Sequence, residues 1–179
     1  IAARPSSQRQ NGYYRDVMLK LEVFRVCPWK QCIYIEADSL LVKSPKPYCE
    51  SSAELAVTQA HWLPGEVTSI FMTFSPSFAL YNAVMRHVRP DDYDMDAINR
   101  YAPLRLPCHS GFLNAALDDT FPKSFCGIRY TSAEHLYSNV TMFHFTAGGK
   151  PWTKRMPKSA SQPHRRLWAK WTNLDGQSS

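Results

Sequence analysis

The stretch Ile33-Tyr34-Ile35-Glu36-Ala37-Asp38-Ser39-Leu40-Leu41-Val42 constrains the fold more than any other part of the chain. A short β-branched and aromatic run of this kind reads as a buried strand. Two carboxylates follow at once, separated by one alanine, and a second apolar run follows them. On an extended backbone, side chains at i and i+2 face the same side. Two anions placed so close raise each other's pKa, and they need a cation, a bound metal or exposure at the sheet's edge. In open α/β sheets, ligands sit beyond the carboxyl ends of the strands. Glu36 and Asp38 are therefore a candidate metal site. The competing reading is two acids that cap a turn after the strand.

At 179 residues, with 44% hydrophobic and 13% aromatic residues, the chain can bury a core and suits one domain. Thirteen prolines against seven glycines predict rigid loops. Residues 1–12 are polar and expected to be poorly ordered; the start on Ile1 suggests a fragment or a processed form. No run approaches the roughly 18 apolar residues that a membrane span needs. The net charge of +6 favours anionic partners. Lys150, Lys154, Arg155, Lys158, Arg165, Arg166 and Lys170 cluster near the C-terminus, opposed only by Asp175. They read as a solvated basic tail, a phosphate-binding corner or a nucleic-acid patch. Nucleic acid is disfavoured, because no zinc finger or other basic recognition motif accompanies the charge. Cys27, Cys32, Cys49, Cys108 and Cys126 are odd in number and contain no C-x-x-C. They are expected to be buried free thiols.

Periodicity predicts the remaining elements. Tyr14, Val17, Met18, Leu21 and Phe24 recur at helical spacing over 13–26, with Lys20 beside the apolar stripe. Strands are expected over 32–36, 55–59, 69–74, 128–131 and 140–145, with 40–42 a short strand or an extended loop. A brief helix is expected within 43–52. Ser75-Pro76-Ser77 opens a helix to about residue 88, with a serine cap and proline at its first position. A second helix covers 94–101, with acids at its N-terminus. Residues 104–107 read as extended, 108–122 as irregular, and 163–171 as the last helix. No repeat, low-complexity tract or second domain is expected.

Two further stretches carry chemistry. In His144-Phe145-Thr146-Ala147-Gly148-Gly149-Lys150-Pro151-Trp152, a histidine ends a strand, a small-residue loop follows, and a lysine comes six positions on. Loop N–H groups can cradle a phosphate, and lysine supplies it a point charge. Imidazole beside carboxylates suits a divalent metal such as Mn²⁺, and such ions complete their shell with phosphate and water. Taken alone, His144 reads more readily as a hydrogen-bonded structural histidine, and the glycines as a turn. In Asp91-Asp92-Tyr93-Asp94-Met95-Asp96-Ala97-Ile98-Asn99, four acids precede and open a helix. They cap the helix or accept hydrogen bonds from sugar hydroxyls.

Together these stretches resemble glycosyltransferase family 8, the glycogenin and galactinol synthase group with the GT-A fold. Lys20 stands sixteen positions before Glu36, as the family's lysine stands before its strand-ending Asp-x-Asp. Phe71 to Ser77 resembles its strand-then-Pro-Ser-helix segment, and Asp94 to Asn99 its Asp-Gln helix. His144-Phe145 and Lys150-Pro151-Trp152 match its His-Phe-x-Gly-x-x-Lys-Pro-Trp. The resemblance covers 13–152 and implies an α/β, partial GT-A mixed sheet flanked by helices, lacking its first strands. Residues 153–179 are then a basic C-terminal tail with a short helix. It implies retaining transfer of a hexose from a UDP-sugar with Mn²⁺, or Mg²⁺ in its place, to a carbohydrate, polyol or protein acceptor. By position, Glu36, Asp38 and His144 would hold the metal. Lys20, Ala37, Thr68, Ser69, Asp91, Asp94, Ala147 and Lys150 would contact the donor, with Asp94 and Lys20 as the catalytic pair.

The chain also departs from that pattern. Glu36 replaces an Asp and is longer by one methylene. Ile70 replaces a glycine in Thr68-Ser69-Ile70, Met95 replaces a glutamine, and Ala147 a glycine. These support a second reading, a relative that keeps the fold and only binds ligand or partner. Asn139-Val140-Thr141 is a glycosylation sequon. It leaves cytoplasm and Golgi lumen both open.

Overall fold

The computed structural model describes residues 17–50, 52–60, 63, 65–90, 92–106, 112–114, 124–125, 128–129, 131–138, 141–145, 150–153, 155–156, 158 and 160–175. The polar segment 1–12 lies outside them. The chain forms two compact units, one from Ile1–Tyr34 with Ser51–Leu106, the other from Ile35–Glu50 with Pro107–Ser179.

The first unit opens with helical turns. Residues 17–18 are helical, Leu19–Glu22 tightens into a 3-10 turn, and α1 is Val23–Val26. Leu21 and Phe24, three positions apart, bury on one side, which is the stripe that the sequence predicts. The helix stops before Pro28, and the chain returns as β1, Cys32–Ile35. This return brings Cys27 beside Cys32, and the two form a disulfide. The expectation of free thiols fails for this pair, because the turn between helix and strand closes their separation. The side chain of Cys49 and residues Cys108 and Cys126 lie outside the described set.

Strands β3, Leu55–Gln59, β4, Val67–Phe74, and β5, Leu104–Arg105, complete a mixed sheet of order β1-β4-β3-β5. All eight residues of β4 are buried, so it reads as a run rather than an alternation. Strands β3 and β4 pair antiparallel, Leu55 opposite Phe74 and Val57 opposite Met72, but the next pair is Thr58 opposite Thr68. Ser69, Ile70 and Phe71 therefore form a bulge on β4. Thr58 bridges it from the opposite strand: its buried Oγ1 lies 3.2 Å from the Thr68 carbonyl oxygen and 3.5 Å from that of Phe71.

Two helices cover this sheet's chain. In α3, Phe78–Met85, the cap is Ser77, whose Oγ accepts the Leu80 N–H at 2.9 Å. Pro76 thus precedes the cap instead of opening the helix, and the helix ends three residues before 88. Helix α4, Asp94–Tyr101, matches its expected bounds. Asp96 accepts the Tyr93 N–H at 2.8 Å, and Ala102 closes the helix at φ 56°, just before Pro103. From α4, the Asn99 side chain accepts the Val67 N–H at 2.8 Å and donates to the Val67 carbonyl at 3.0 Å. It acts as one more peptide at the start of β4.

The second unit holds β2, Ser39–Leu41, and α2, Lys46–Cys49. Strand β6, Phe112–Asn114, falls where the sequence reads as irregular; three residues are too few for a period to show. A hairpin follows, β7, Ser124–Phe125, against β8, Ile128–Arg129. Helix α5, Ala133–Ser138, also has no sequence expectation. Strand β9, Met142–His144, is central: β2 runs antiparallel to it and β6 parallel. A 3-10 turn, Pro151–Thr153, precedes α6, Gln162–Asp175, which is longer than the expected 163–171. Trp168 of α6 joins Leu40, Phe143 and Phe145 in this unit's core. The rings of Phe143 and Phe145 meet edge-on at 4.8 Å, and those of Phe145 and Trp168 at 5.7 Å. Among the described residues, no helix is long and apolar enough to cross a membrane.

Thr58→Val keeps the shape of the side chain and removes the hydroxyl that serves the β4 bulge. It is expected to cost about 1–3 kcal/mol of stability, measured by urea unfolding, whereas Thr58→Ser keeps the hydroxyl and should cost only about 1 kcal/mol for its lost buried methyl.

Candidate functional site

Each unit gathers one polar cluster. In the second unit, the chain enters a tight turn at Glu36, and the Ser39 N–H donates to the Glu36 carbonyl at 3.1 Å. Glu36 and Asp38 therefore do not share an extended strand, and the same-side expectation fails. The physical reason is the pairing that begins at Asp38. Its carbonyl accepts the Phe145 N–H at 2.8 Å, and Ser39 stands opposite His144. This register fixes Asp38 beside His144.

His144 Nε2 lies 3.0 Å from Asp38 Oδ1, and the Lys150 ammonium pairs with Asp38 Oδ2. Asp38 and His144 are buried. Burial raises the Asp38 pKa, but the hydrogen bond and charge of His144, and then those of Lys150, outweigh it and lower the pKa from 3.8 to about 2. The mutual elevation expected of two neighbouring acids does not occur at Asp38, because its close neighbours are a hydrogen-bonding imidazole and an ammonium. Glu36 is half-buried, and among the described residues no three of His, Cys, Asp and Glu converge as a metal cluster. A carboxylate touching an imidazole still fits a divalent ion that fills its shell with phosphate and water. His144 Nδ1 is buried and has no hydrogen-bond partner among the described residues, so the ring is not fully committed to structure. Asp38 and His144 fit the metal expected here; Glu36 does not join them in this arrangement.

In the first unit, the β4 bulge and the start of α4 meet. Ser69 Oγ donates to Asp94 Oδ2, and Lys20 Nζ lies 3.1 Å from the same oxygen and 3.4 Å from Ser69 Oγ. Asp94 and Ser69 are buried, and the Lys20 ammonium also stands 5.8 Å from the centre of the Tyr34 ring. A buried carboxylate needs such a cation and such a donor. Thr68 Oγ1 is buried next to this group and has no partner among the described residues. Ile70 is buried in the bulge. Met95 is half-buried and Ala37 is exposed on its turn. Asp91 and Ala147 lie outside the described residues.

The structure thus brings together Lys20, Ser69 and Asp94 in one unit and Asp38, His144 and Lys150 in the other. Reading the sequence alone misses the pairing of Lys150 with Asp38, 112 positions apart. No local pattern signals it. It also misses the buried His164, which stands 5.0 Å from the Phe143 ring. Its spacing of four from Trp168 is the signal that could have found it.

No family model and no curated protein matches the chain. Solved structures do. The galactosyltransferase LgtC, in complex with donor and acceptor sugar analogs, matches with a TM-score of 0.58 at 14% identity, over 86% of this chain and 66% of that one. The fold is a glycosyltransferase fold of the GT-A type. The apo bifunctional glycosyltransferase WbbM matches with a TM-score of 0.58 at 10% identity, over 88% of this chain and 35% of that one. An active-site mutant of LgtC gives 0.56 at 13% identity, over 89% and 66%. This chain spans less than two thirds of the length of these glycosyltransferases. Likeness at such identity establishes the fold and does not single out the glycogenin and galactinol synthase group.

A carboxyl whose pKa is lowered on folding stabilises the fold above its unfolded pKa, and that stability is lost as pH falls through the folded value. For Asp38 the window runs from about pH 4 down to about pH 2, and the contribution is about 2 kcal/mol. In chelator, Asp38→Asn is expected to be less stable than wild type by about that amount at pH 6, with the gap closing toward pH 2. Urea unfolding across pH measures it. A gap of constant size would show that Asp38 is not the titrating group.

Proposed function

We propose that this chain is the metal- and acceptor-side part of a glycosyltransferase that uses a UDP-sugar, with Mn²⁺ or Mg²⁺, and transfers a hexose with retention. The observation that carries the reading is the Asp38–His144–Lys150 cluster, held on a glycosyltransferase fold. Asp38 and His144 would hold the metal. The metal, when bound, supplies positive charge to the diphosphate as the bond to the sugar breaks. Lys150 would add a second positive charge to the leaving diphosphate. Asp94, buried with Lys20 and Ser69, would accept hydrogen bonds from the transferred sugar. Lys20 and Ser69 both hold Asp94 Oδ2, so they set where its other oxygen faces. The acceptor would be a carbohydrate, a polyol or a protein.

The second reading, a relative that binds without efficient transfer, is favoured by one geometric observation. Glu36 stands apart from the Asp38–His144 pair. Ile70 and Met95, where the resembled family has glycine and glutamine, point the same way.

Mn²⁺ with UDP at about a hundredfold above Kd should raise the Tm of the full chain by about 5–10 °C. Asp38→Ala or His144→Ala should remove that rise, and Asp94→Ala should leave it. No rise in the wild type would overturn donor binding. A rise without sugar release from a UDP-hexose, followed by NMR, would select the non-catalytic reading; release with the anomeric configuration kept would select the retaining transferase.

A further inference from the structure

The Asp38–His144–Lys150 cluster already contains a cation. Both carboxylate oxygens of Asp38 are engaged, Oδ1 by His144 Nε2–H and Oδ2 by the Lys150 ammonium. The three groups differ in freedom. His144 ends β9 and Asp38 directly precedes β2, held in place by the Phe145 N–H and the Ser39–His144 register, and their side chains are 10% (Asp38) and 9% (His144) exposed. The Lys150 side chain is 33% exposed, and its ammonium is a point charge on a flexible stem.

A free divalent ion approaching Asp38 meets two obstacles. It must displace the ammonium from Oδ2, and it must replace the proton that His144 Nε2 shares with Oδ1. The displaced ammonium would then stand beside a dication, a like-charge arrangement that a part-buried site penalises. A diphosphate reverses the sign of that last effect. It offers the ammonium anionic oxygens of its own while the metal takes over Asp38.

We infer that Lys150 is an internal placeholder for the metal, so that the cluster takes a divalent cation and a diphosphate as one chelate and binds the free ion poorly. This rests on the proposed donor-binding reading and adds to it the coupling between the two ligands and the residue responsible. Linkage makes the coupling reciprocal: the metal must tighten diphosphate binding by the same factor by which diphosphate tightens metal binding.

The test titrates the full chain with MnCl₂, with UDP, and with each in the presence of the other, by calorimetry and by the EPR signal of free Mn²⁺. In the wild type, each ligand should tighten the other by at least about tenfold. Lys150→Gln should bind Mn²⁺ alone about tenfold more tightly than wild type and UDP more weakly, with the mutual enhancement reduced. Lys158→Gln removes the same charge from an exposed position of the same unit and should stay within about twofold of wild type. Independent binding of Mn²⁺ and UDP in the wild type overturns the inference without any variant. So does Mn²⁺ affinity in Lys150→Gln that is unchanged or weaker, or an equal gain in Lys158→Gln. In each of those cases a wild type that binds both ligands leaves the donor-binding reading standing. A wild type that binds neither, alone or together, removes both.

Discussion

The backbone bond from the Phe145 N–H to the Asp38 carbonyl is the contact on which the second unit's chemistry depends. It starts the β2–β9 ladder at the residue whose side chain carries the charge. Alternation along β9 does the rest. Phe143 and Phe145 share the core with Leu40 and Trp168, so the intervening His144 is turned off that face and toward Asp38. Aromatic packing and the polar cluster are two consequences of one register. A slip of one residue would bury the imidazole among phenylalanines and leave Asp38 without its partner.

The first unit solves a similar problem by breaking its ladder. Strand β4 is buried along its whole length and has no free polar edge of its own. The bulge at Ser69, Ile70 and Phe71 displaces a serine from the regular pairing, and Thr58 reaches the carbonyls of Thr68 and Phe71. Asn99 supplies a peptide-like partner to Val67, so the strand is pinned just before the bulge. Ser69 is then within reach of the first residue of α4. Asp94 gains a hydroxyl donor and the Lys20 ammonium while remaining buried.

Much of the fold was legible. The bounds of β3 and α4 follow from local pattern, because one is an apolar run between turn signals and the other opens on acids and ends just before proline. Short elements were not legible. Strands of two or three residues, such as β6 to β8, contain too little sequence for a period, and their existence depends on partners far along the chain. The disulfide was hidden for the same reason. An odd cysteine count argues against pairing, and only the turn at Pro28 brings Cys27 and Cys32 together.

The sequence by itself determined the chemical inventory: a strand ending in acids, a histidine ending another strand, a lysine after a glycine-containing loop, and acids opening a helix. It also determined the resemblance to a glycosyltransferase, whose fold the structure has. Tertiary structure alone decided which of these groups meet. Asp38 joined His144 and Lys150 and left Glu36 aside, because pairing with β9 begins at Asp38 and the chain turns between the two acids. Charge followed position. Sequence proximity predicted two acids that raise each other's pKa, whereas the fold set one of them between His144 and Lys150 and lowered it. Spacing along the chain records which residues are available; electrostatic energy depends on distances that only the packed strands fix.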